Sequence, residues 1–394
     1  MEPKATDDRA IHPFRVAIPD SVLADLSERI GRARWPDDPN NDDWDFGTNA
    51  ICLRGLCDYW RSGFDWRAQE AKINAEPQFR TVIDGVRIHF IHKQGCGPSP
   101  MPLLMSHGWP WTFWDLEKVI GPLTDPAAHG GDPADAFEIV IPSLPGFAFS
   151  TPLGDRRLAF HQVSDLWAEL MTRLGHDRFA AQGGDFGSFV TAQLGHKYAD
   201  RMIGIHLHLA GPLGMITGNA PPQSDYGPGE EDWFEANQRF FASGSAYAAI
   251  QATKPQTLTY AMNDSPVGMA AWLLEKRRDW SACHGEIERC FTRDELLTSF
   301  TLSWATESFG SAIRLYAESR RNPWKPSHGR SPVVEAPTGI AIAGDDKVRL
   351  PRLWAERYYN LNRWSVMPGV GHFAPMESPQ QLVDEIRAFF RPLR

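Results

Sequence analysis

Apolar residues recur along the chain with two different periods, and the change from one period to the other divides it into segments. Residues 18–30 and 48–63 carry apolar side chains at helical spacing. Residues 79–93 instead contain two β-rich runs on either side of Asp84-Gly85, a dipeptide typical of a hairpin turn. The pattern predicts helices followed by a β-hairpin in the first part of the chain.

Strand and helix patterns then alternate, which is typical of a mostly parallel sheet flanked by helices. The alternating segments are 101–110, 136–150, 161–175, 178–198 and 202–212. Only helical patterns follow until about residue 325, and the alternation returns after residue 331. We therefore expect an N-terminal segment that begins with helices, an α/β core in two parts and a helical insertion between these parts, which we call the cap. The predicted bounds are 1–85 for the N-terminal segment, 86–212 and 326–394 for the core, and 213–325 for the cap.

The composition is that of an ordinary globular protein and excludes several other classes. Of the 394 residues, 42% are hydrophobic and 23% are charged, and the formal net charge is −9. An acidic chain has no general attraction for nucleic acids or anionic membranes. The cysteines form no CxxC pair, and the sequence has neither a signal-peptide pattern nor a run of about 18 apolar residues. We expect a cytoplasmic protein with no membrane span and no nucleic-acid partner.

The motif Gly183-Gly184-Asp185-Phe186-Gly187 lies between a predicted strand and a predicted helix. Small residues around a central side chain allow a very tight strand-to-helix turn, which exposes that side chain above the sheet edge. A carboxylate there is already ionised and can displace a leaving group at saturated carbon. The alternative interpretation is a turn that only caps the following helix.

A second motif, His-Gly-Trp-Pro at residues 107–110, follows another predicted strand. Glycine at a strand end lets backbone N–H groups point into a cavity. The N–H groups of Trp109 and Phe186 would then form an oxyanion hole. Taken alone, this motif is better explained by a plain turn. The nucleophile motif downstream reverses that preference and favours the catalytic interpretation.

A late loop supplies a candidate base. His372 follows a predicted strand, and a nucleophile, an acid and a histidine in this order are typical of α/β-hydrolases. His372 would activate water. The acid that orients it should follow the preceding strand, where both Asp345 and Asp346 are available.

Two tyrosines and two histidines have weaker signals. Tyr247 and Tyr316 lie in the predicted cap, where a phenol above a carboxylate could protonate an oxygen leaving group. Helical spacing alone favours a packed aromatic residue at each position. His206 and His208 share one face of a predicted strand, but no third ligand is evident. We expect ordinary packing there and no metal.

Together these motifs resemble the microsomal-type epoxide hydrolases of the α/β-hydrolase family. The resemblance covers nearly the whole chain, from PFRVAIPDSVLADLSERIGRARWP through HGWP, SLPGFAFS, GGDFG, IQATKPQTL and NDSPVGMAAWLLEK to GVGHFAPMESP. It implies the α/β-hydrolase fold, with a mostly parallel sheet flanked by helices, a helical cap and a wrapping N-terminal segment. It also implies a homodimer and hydrolysis of an epoxide to a vicinal diol with no metal or organic cofactor.

The resemblance assigns roles to individual residues. The residues on the family's catalytic positions are Asp185 as nucleophile, His372 as general base, Tyr247 and Tyr316 as the tyrosines that activate the oxirane, and Asp346 as the acid. The acid is placed by counting back from the Pro-x-x-Trp motif at 351–354, which gives Asp346 rather than Asp345.

The chain departs from the family pattern beside the pocket. Trp111-Thr112 replaces the usual Gly-Ser after HGWP, and Phe186 replaces the tryptophan common after the nucleophile. Aromatic residues near the motifs indicate a bulky apolar or aryl epoxide. The predicted pocket residues are Trp109, Trp111, Phe147 and Phe186. Detoxifying and biosynthetic roles both stay open.

Two other functions are compatible with part of this pattern. A haloalkane dehalogenase would share the aspartate nucleophile, but it usually binds halide with a tryptophan after that aspartate, and the Phe186 ring has no N–H. A non-catalytic binding protein of the same fold would not need competent residues at every triad position. The sequence therefore predicts that Asp185 opens a small-molecule epoxide through an alkyl ester, and that water activated by His372 hydrolyses this ester.

Overall fold

The structure is a computed structural model that describes residues 9–209, 211, 213 and 221–394. The strands are β1 (His12–Phe14), β2 (Gln78–Ile83), β3 (Val86–Lys93), β4 (Met101–Ser106), β5 (Phe137–Pro142), β6 (Phe179–Gly183), β7 (Met202–Leu207), β8 (Val334–Ala343) and β9 (Tyr359–Met367). The helices are α1 (Asp20–Gly31), α2 (Ala50–Ser62), α3 (Trp66–Ile73), α4 (Glu117–Thr124), α5 (Phe160–Arg173), α6 (Phe186–Lys197), α7 (Glu231–Arg239), α8 (Ala246–Thr253), α9 (Pro255–Asp264), α10 (Pro266–Trp280), α11 (Arg293–Ala305), α12 (Phe309–Arg321), α13 (Arg352–Tyr358), α14 (Ala374–Glu377) and α15 (Pro379–Phe390).

The described strands form one sheet in the order β1-β2-β3-β5-β4-β6-β7-β8-β9. Neighbours from β5 to β9 pair in parallel, whereas β1, β2, β3 and β5 pair in antiparallel fashion. The predicted mostly parallel sheet is therefore confirmed. Parallel strands end at the same edge of a sheet, and ligands bind in the crevice outside that edge. The four segments that carry the candidate chemistry follow β4, β6, β8 and β9.

The two faces of the sheet are both covered. Successive residues of a strand enter different apolar clusters: Ile139 and Ile141 of β5 belong to one, and Val140 belongs to the other. This alternation is expected because neighbouring side chains on a strand point to opposite faces. Burial on both faces explains why these strands are nearly continuous apolar runs rather than alternating ones.

The predicted hairpin joins β2 to β3. Asp84 and Gly85 have φ angles of 49° and 73°, and Ile83 pairs with Val86 across the turn. Two successive positive φ angles match the twist of a two-residue hairpin, which is why an Asp-Gly pair is found there. The hairpin is confirmed, and it makes the N-terminal segment continuous with the central sheet.

The described part of the predicted cap contains only helical elements, α7 to α12 and a π-helical turn at Phe240–Gly244. The N-terminal segment contacts this cap at α2 and just before it. Thr48 Oγ1 donates a hydrogen bond to the Ala271 carbonyl (2.7 Å), and Trp60 Nε1 of α2 donates one to Thr301 Oγ1 (2.9 Å). The four-part division stays a prediction. Its junction at 212/213 adjoins positions outside the described residues, and the first eight residues of the chain also lie outside them.

None of the helices in the described ranges is both long enough and apolar enough to cross a membrane.

Candidate active site

The nucleophile motif forms a tight turn between β6 and α6. Asp185 has φ 51° and ψ −128°, a strained backbone conformation for a residue with a side chain. The packing around the turn admits only glycine on either side. A Cβ atom on Gly184 would lie 1.9 Å from His208 Nε2, and one on Gly187 would lie 2.0 Å from the Ser106 carbonyl oxygen. The close approach of three chain segments therefore requires the glycines that flank Asp185.

The carboxylate of Asp185 is held by backbone and by a histidine. The Trp109 N–H donates a hydrogen bond to Asp185 Oδ1 at 2.8 Å, and His372 Nε2 lies 3.4 Å from Oδ2. Phe186 is the first residue of α6, so its N–H has no acceptor within the helix. The positive end of the helix dipole also favours a negative charge at this position. The site can therefore stabilise an anion on the oxygen that contacts Trp109.

His372 lies between two carboxylates. Its Nδ1 is 3.0 Å and 3.2 Å from the two carboxylate oxygens of Asp346. Asp345, the alternative acid, is exposed, and its backbone N–H donates to the Val370 carbonyl. Burial disfavours the imidazolium, but the charges of Asp346 and Asp185 and hydrogen bonds to both outweigh it, so the pKa of His372 rises to about 10.

The two tyrosines lie in the cap, on α8 and α12, and pack around Trp109. The Tyr247 ring stacks on Trp109 at 5.4 Å with an interplanar angle of 11°, and Tyr316 contacts Trp109 edge-on at 5.8 Å. The centroids of the two phenol rings are 6.0 Å apart. Burial raises the pKa of both phenols well above the usual range, and the charge of Asp185 raises them further. Both side chains therefore stay protonated and able to donate hydrogen bonds.

The predicted catalytic side chains line one cavity of about 820 Å³. Asp185, His372, Asp346, Tyr247 and Tyr316 all line it. The apolar residues that line the rest of it include Phe186, Phe189, Leu209, Phe240, Phe241, Ala248, Ala249, Ala252, Trp280 and Pro323. Ser245, Arg320 and Lys347 line it as well. A mostly apolar cavity of this size fits a drug-sized molecule.

Of the four predicted pocket residues, one lines the cavity and three do not. Phe186 lines the cavity, whereas Trp109, Trp111 and Phe147 are buried and are not among its lining residues. Trp111 stacks on His208 (5.6 Å, 16°), and Phe147 packs edge-on against His107 at 5.2 Å. The extra bulk at Trp111 therefore supports the turn behind Asp185 instead of forming the cavity wall.

Glu377 and Trp280, which no sequence pattern singled out, hold the His372 loop. Glu377 accepts hydrogen bonds from the N–H groups of Gly371 (3.0 Å) and Phe373 (2.8 Å), on either side of His372. It also accepts one from Ala282 N–H at 2.7 Å, just after α10. The His372 N–H donates to the Trp280 carbonyl at 2.9 Å. No sequence signal marks Glu377, because a glutamate in a short C-terminal helix is ordinarily a surface residue.

The two strand histidines are packed inside the core. Burial lowers the pKa of His206 to about 4 and the pKa of His208 to about 3, so both rings are neutral at pH 7. Neither belongs to a convergent group of metal-ligating side chains in the described part of the chain.

Comparison with known proteins identifies the family to which the chain belongs. Residues 11–116 match the family model described as epoxide hydrolase N terminus, and residues 101–379 match the model of the alpha/beta hydrolase fold. Epoxide hydrolase 1 of Sus scrofa is 34% identical over 409 residues, covering 98% of this chain and 90% of that protein. The chain belongs to the epoxide hydrolase family.

Two further comparisons support the assignment of the enzyme. A protein of Stigmatella aurantiaca, whose epoxide hydrolase name is provisional, is 39% identical over 385 residues, covering 98% of this chain and 86% of that protein. The solved structure of Aspergillus niger epoxide hydrolase is 29% identical with a TM-score of 0.85, over 98% of this chain and 97% of that chain. The family and the α/β-hydrolase fold predicted from the motifs are confirmed, and the enzyme is an epoxide hydrolase.

Proposed function

We propose that the enzyme converts a bulky apolar or aryl epoxide to a vicinal diol through an ester on Asp185. The observation that carries this proposal is one cavity in which the Asp185 carboxylate lies between a backbone donor, a buried histidine and two protonated tyrosines. Oδ1 is already engaged by the Trp109 N–H, which leaves Oδ2 for the attack.

In the first step, Oδ2 of Asp185 attacks an oxirane carbon and the carbon–oxygen bond of the ring breaks. Tyr247 and Tyr316 donate hydrogen bonds to the epoxide oxygen, and one of them transfers its proton to the alkoxide that forms. Their pKa values, which burial raises, keep the protons on the phenols until that moment. The product of this step is a hydroxyalkyl ester of Asp185.

In the second step, water attacks the carbonyl carbon of the ester. His372, oriented by Asp346, takes a proton from this water, and the N–H groups of Trp109 and Phe186 stabilise the oxyanion. The ester has no charge on Asp185, so one cause of the raised pKa of His372 is lost and the imidazole becomes available as a base. On esterification, the proton of the His372 imidazolium passes to the tyrosinate that the first step leaves, which frees the imidazole. The tetrahedral intermediate then collapses with cleavage of the bond between the carbonyl carbon and the alkyl oxygen. The diol leaves with one proton of the water and the other stays on His372, which restores the ion pair with Asp185.

The substrate class is supported by the cavity wall. Apart from the catalytic groups, the wall is formed mainly by phenylalanine, alanine and leucine side chains, and its other polar residues are Ser245, Arg320 and Lys347. The apolar majority favours an apolar substrate. Two further expectations, a homodimer and a cytoplasmic location, stay predictions.

Trapping the ester tests the mechanism. We expect His372→Gln, mixed with styrene oxide, to accumulate an adduct of the epoxide's mass, because ester formation does not need the base but ester hydrolysis does. Intact-protein mass spectrometry followed by peptide mapping should locate the adduct on Asp185.

The matched control is the double variant Asp185→Asn/His372→Gln, which should form no adduct. Adding Tyr247→Phe and Tyr316→Phe to His372→Gln should slow adduct formation by at least about 100-fold, the usual range for a general acid. An adduct on another residue, or diol production by Asp185→Asn, would contradict the proposal.

A further inference from the structure

A second group of polar side chains lies far from the catalytic cavity. His92 of β3, Glu138 of β5 and His176, in the loop before β6, place their ligand atoms within 4.8 Å of one another. The Nε2 atoms of His92 and His176 lie 2.6 Å and 3.0 Å from the same oxygen, Glu138 Oε1. All three side chains are mostly buried, with 13–17% of their surface exposed.

The fold itself brings these side chains together. His92 pairs with Val140 across β3 and β5, and Glu138 lies two residues before Val140, so His92 and Glu138 share one face of the sheet. His176 follows the end of α5, where Gly175 adopts a φ of 89° and the His176 N–H donates to the Met171 carbonyl. This helix end turns His176 onto the same face.

Gln94 lies beside both His92 and Glu138. Its side-chain nitrogen is 2.8 Å from Glu138 Oε1 and 3.2 Å from His92 Nε2. The Gln94 amide and the two imidazoles therefore converge on one carboxylate oxygen, as ligands converge on a cation. A cation bound among them would attract the amide oxygen. An amide rotated by 180° would present its oxygen instead, and amide orientation is an assignment that the surrounding network decides.

We propose that His92, Glu138 and His176 bind one divalent cation of the zinc type, with the amide oxygen of Gln94 as the fourth ligand. Two imidazole nitrogens and a carboxylate oxygen are a common donor set for Zn²⁺, with bonds of about 2.0–2.2 Å in tetrahedral geometry. Such bonds place ligand atoms roughly 3.4 Å apart. The His92–Glu138 and His176–Glu138 contacts therefore widen by several tenths of an ångström on binding. Gln94 is exposed, which gives the cation an entry path.

The role of this site is structural. Glu138 is near the start of β5 and His176 lies three residues before β6, whereas Asp185 follows the carboxyl end of β6. The cation therefore lies at the opposite edge of the parallel sheet from the reacting atoms. It joins β3, β5 and the α5–β6 connection, and its binding is independent of the catalytic mechanism proposed above.

Isothermal titration of Zn²⁺ into the tag-free, EDTA-treated full chain tests the proposal, with thermal unfolding as a second readout. We expect one Zn²⁺ per chain and an unfolding temperature that rises by several degrees with saturating Zn²⁺. His176→Ala should weaken binding by at least about 100-fold, more than is usual for loss of an outer-shell partner. Glu138→Gln keeps an amide oxygen that can accept hydrogen bonds from the imidazoles, so this variant should fold. Its Zn²⁺ binding should weaken as much as that of His176→Ala.

Two controls separate this site from other histidines. His129→Ala, which removes an exposed imidazole elsewhere, and His372→Gln, which removes the catalytic one, should both bind Zn²⁺ as the wild type does. Unfolding temperatures in EDTA establish that each variant is folded. Two results would overturn the proposal. One is the absence of saturable binding by the wild type up to about 1 mM Zn²⁺, where even a site with a millimolar Kd would be half filled. The other is unchanged binding by His176→Ala and Glu138→Gln. A failed ester-trapping experiment would not affect it.

Discussion

At the scale of single residues, the electrostatics of His372 are the main feature of the site. Burial alone would keep this imidazole neutral, but two carboxylates within 3.4 Å favour its charged form. The ion pair is therefore a resting state, and the reaction itself releases the base when Asp185 is esterified. The same interaction links the protonation of His372 to the stability of the fold.

Stability should depend on pH through His372. Its pKa rises from 6.5 in the unfolded chain to about 10 in the folded one, so its contribution is fully present below about pH 6.5 and is lost as the pH rises through about 10. One pKa unit corresponds to about 1.4 kcal/mol. We expect the free energy of unfolding in urea to fall by a few kcal/mol more in wild type than in His372→Gln between pH 7 and pH 10. Parallel curves for the two proteins would show that His372 makes no such contribution.

Glu377 acts through His372 as a positioning residue. In Glu377→Gln the amide has one acceptor oxygen for three N–H donors, and a buried N–H without a partner costs about 1–3 kcal/mol. If the transition state for ester hydrolysis loses about 1.4 kcal/mol of stabilisation, this step slows by about tenfold. We expect at least this decrease, while the rate of ester formation by Asp185 stays unchanged. Rapid-quench mass spectrometry would show the ester accumulating during turnover. Asp384→Asn, an exposed substitution in α15, is the control and should leave both steps unchanged.

At the scale of elements, the strand-to-helix turn at Asp185 requires backbone segments to approach so closely that no side chain fits between them. Gly187 lies in the first turn of α6, directly against the Ser106 carbonyl at the end of β4. The close approach of α6 to β4 is what aligns the Asp185 carboxylate with the Trp109 N–H.

A methyl group at Gly187 should therefore destabilise the protein. The new Cβ in Gly187→Ala would lie 2.0 Å from a backbone oxygen, and we expect a loss of about 3 kcal/mol or more in the free energy of unfolding. Gly55→Ala in α2 is the matched control. Its Cβ would meet no atom within 4 Å, and alanine in a helix interior should stabilise the protein by up to about 1 kcal/mol. Chemical unfolding of both variants measures the contrast, and equal effects would contradict this account.

At the scale of the whole molecule, a buried ion pair joins the cap to the core. Arg277 of α10 and Asp115, after the HGWP motif, are 2.5 Å apart with 2–3% of their side-chain surface exposed. Arg277 also donates to the Pro110 carbonyl (3.1 Å) and lies 4.3 Å from the centroid of the Phe373 ring, next to His372. The orientation of the cap is thereby coupled to the oxyanion-hole loop and to the base loop.

Removing one partner of this pair should cost more than removing both. Arg277→Met leaves the Asp115 charge buried and uncompensated, a loss of about 3–5 kcal/mol in the free energy of unfolding. Arg277→Met with Asp115→Asn should be clearly less destabilised than the sum of the single variants. A double-mutant cycle in urea checks this, and additivity within about 0.5 kcal/mol would contradict it.

Much of the architecture and the identity of the catalytic candidates could be predicted from the sequence, because both are encoded by short-range patterns. Hydrophobic periodicity marked the helices and strands, and Asp84-Gly85 marked the hairpin. The nucleophile, acid and base each follow a strand, and parallel strands deliver such residues to one edge. The order of nucleophile, acid and base along the chain was therefore enough to predict that Asp185, His372 and one of the two neighbouring aspartates, Asp345 or Asp346, meet.

Only the tertiary structure decided contacts between residues that no local pattern connects. It turned Asp346 rather than its neighbour Asp345 toward His372, and it packed Trp111 behind the site instead of in the cavity wall. It also placed Glu138 against histidines 38 and 46 positions away along the chain. The direction of a side chain in a loop or across a sheet depends on how segments distant in sequence pack together. The periodicity of one segment carries no information about which residues a distant segment will place against it.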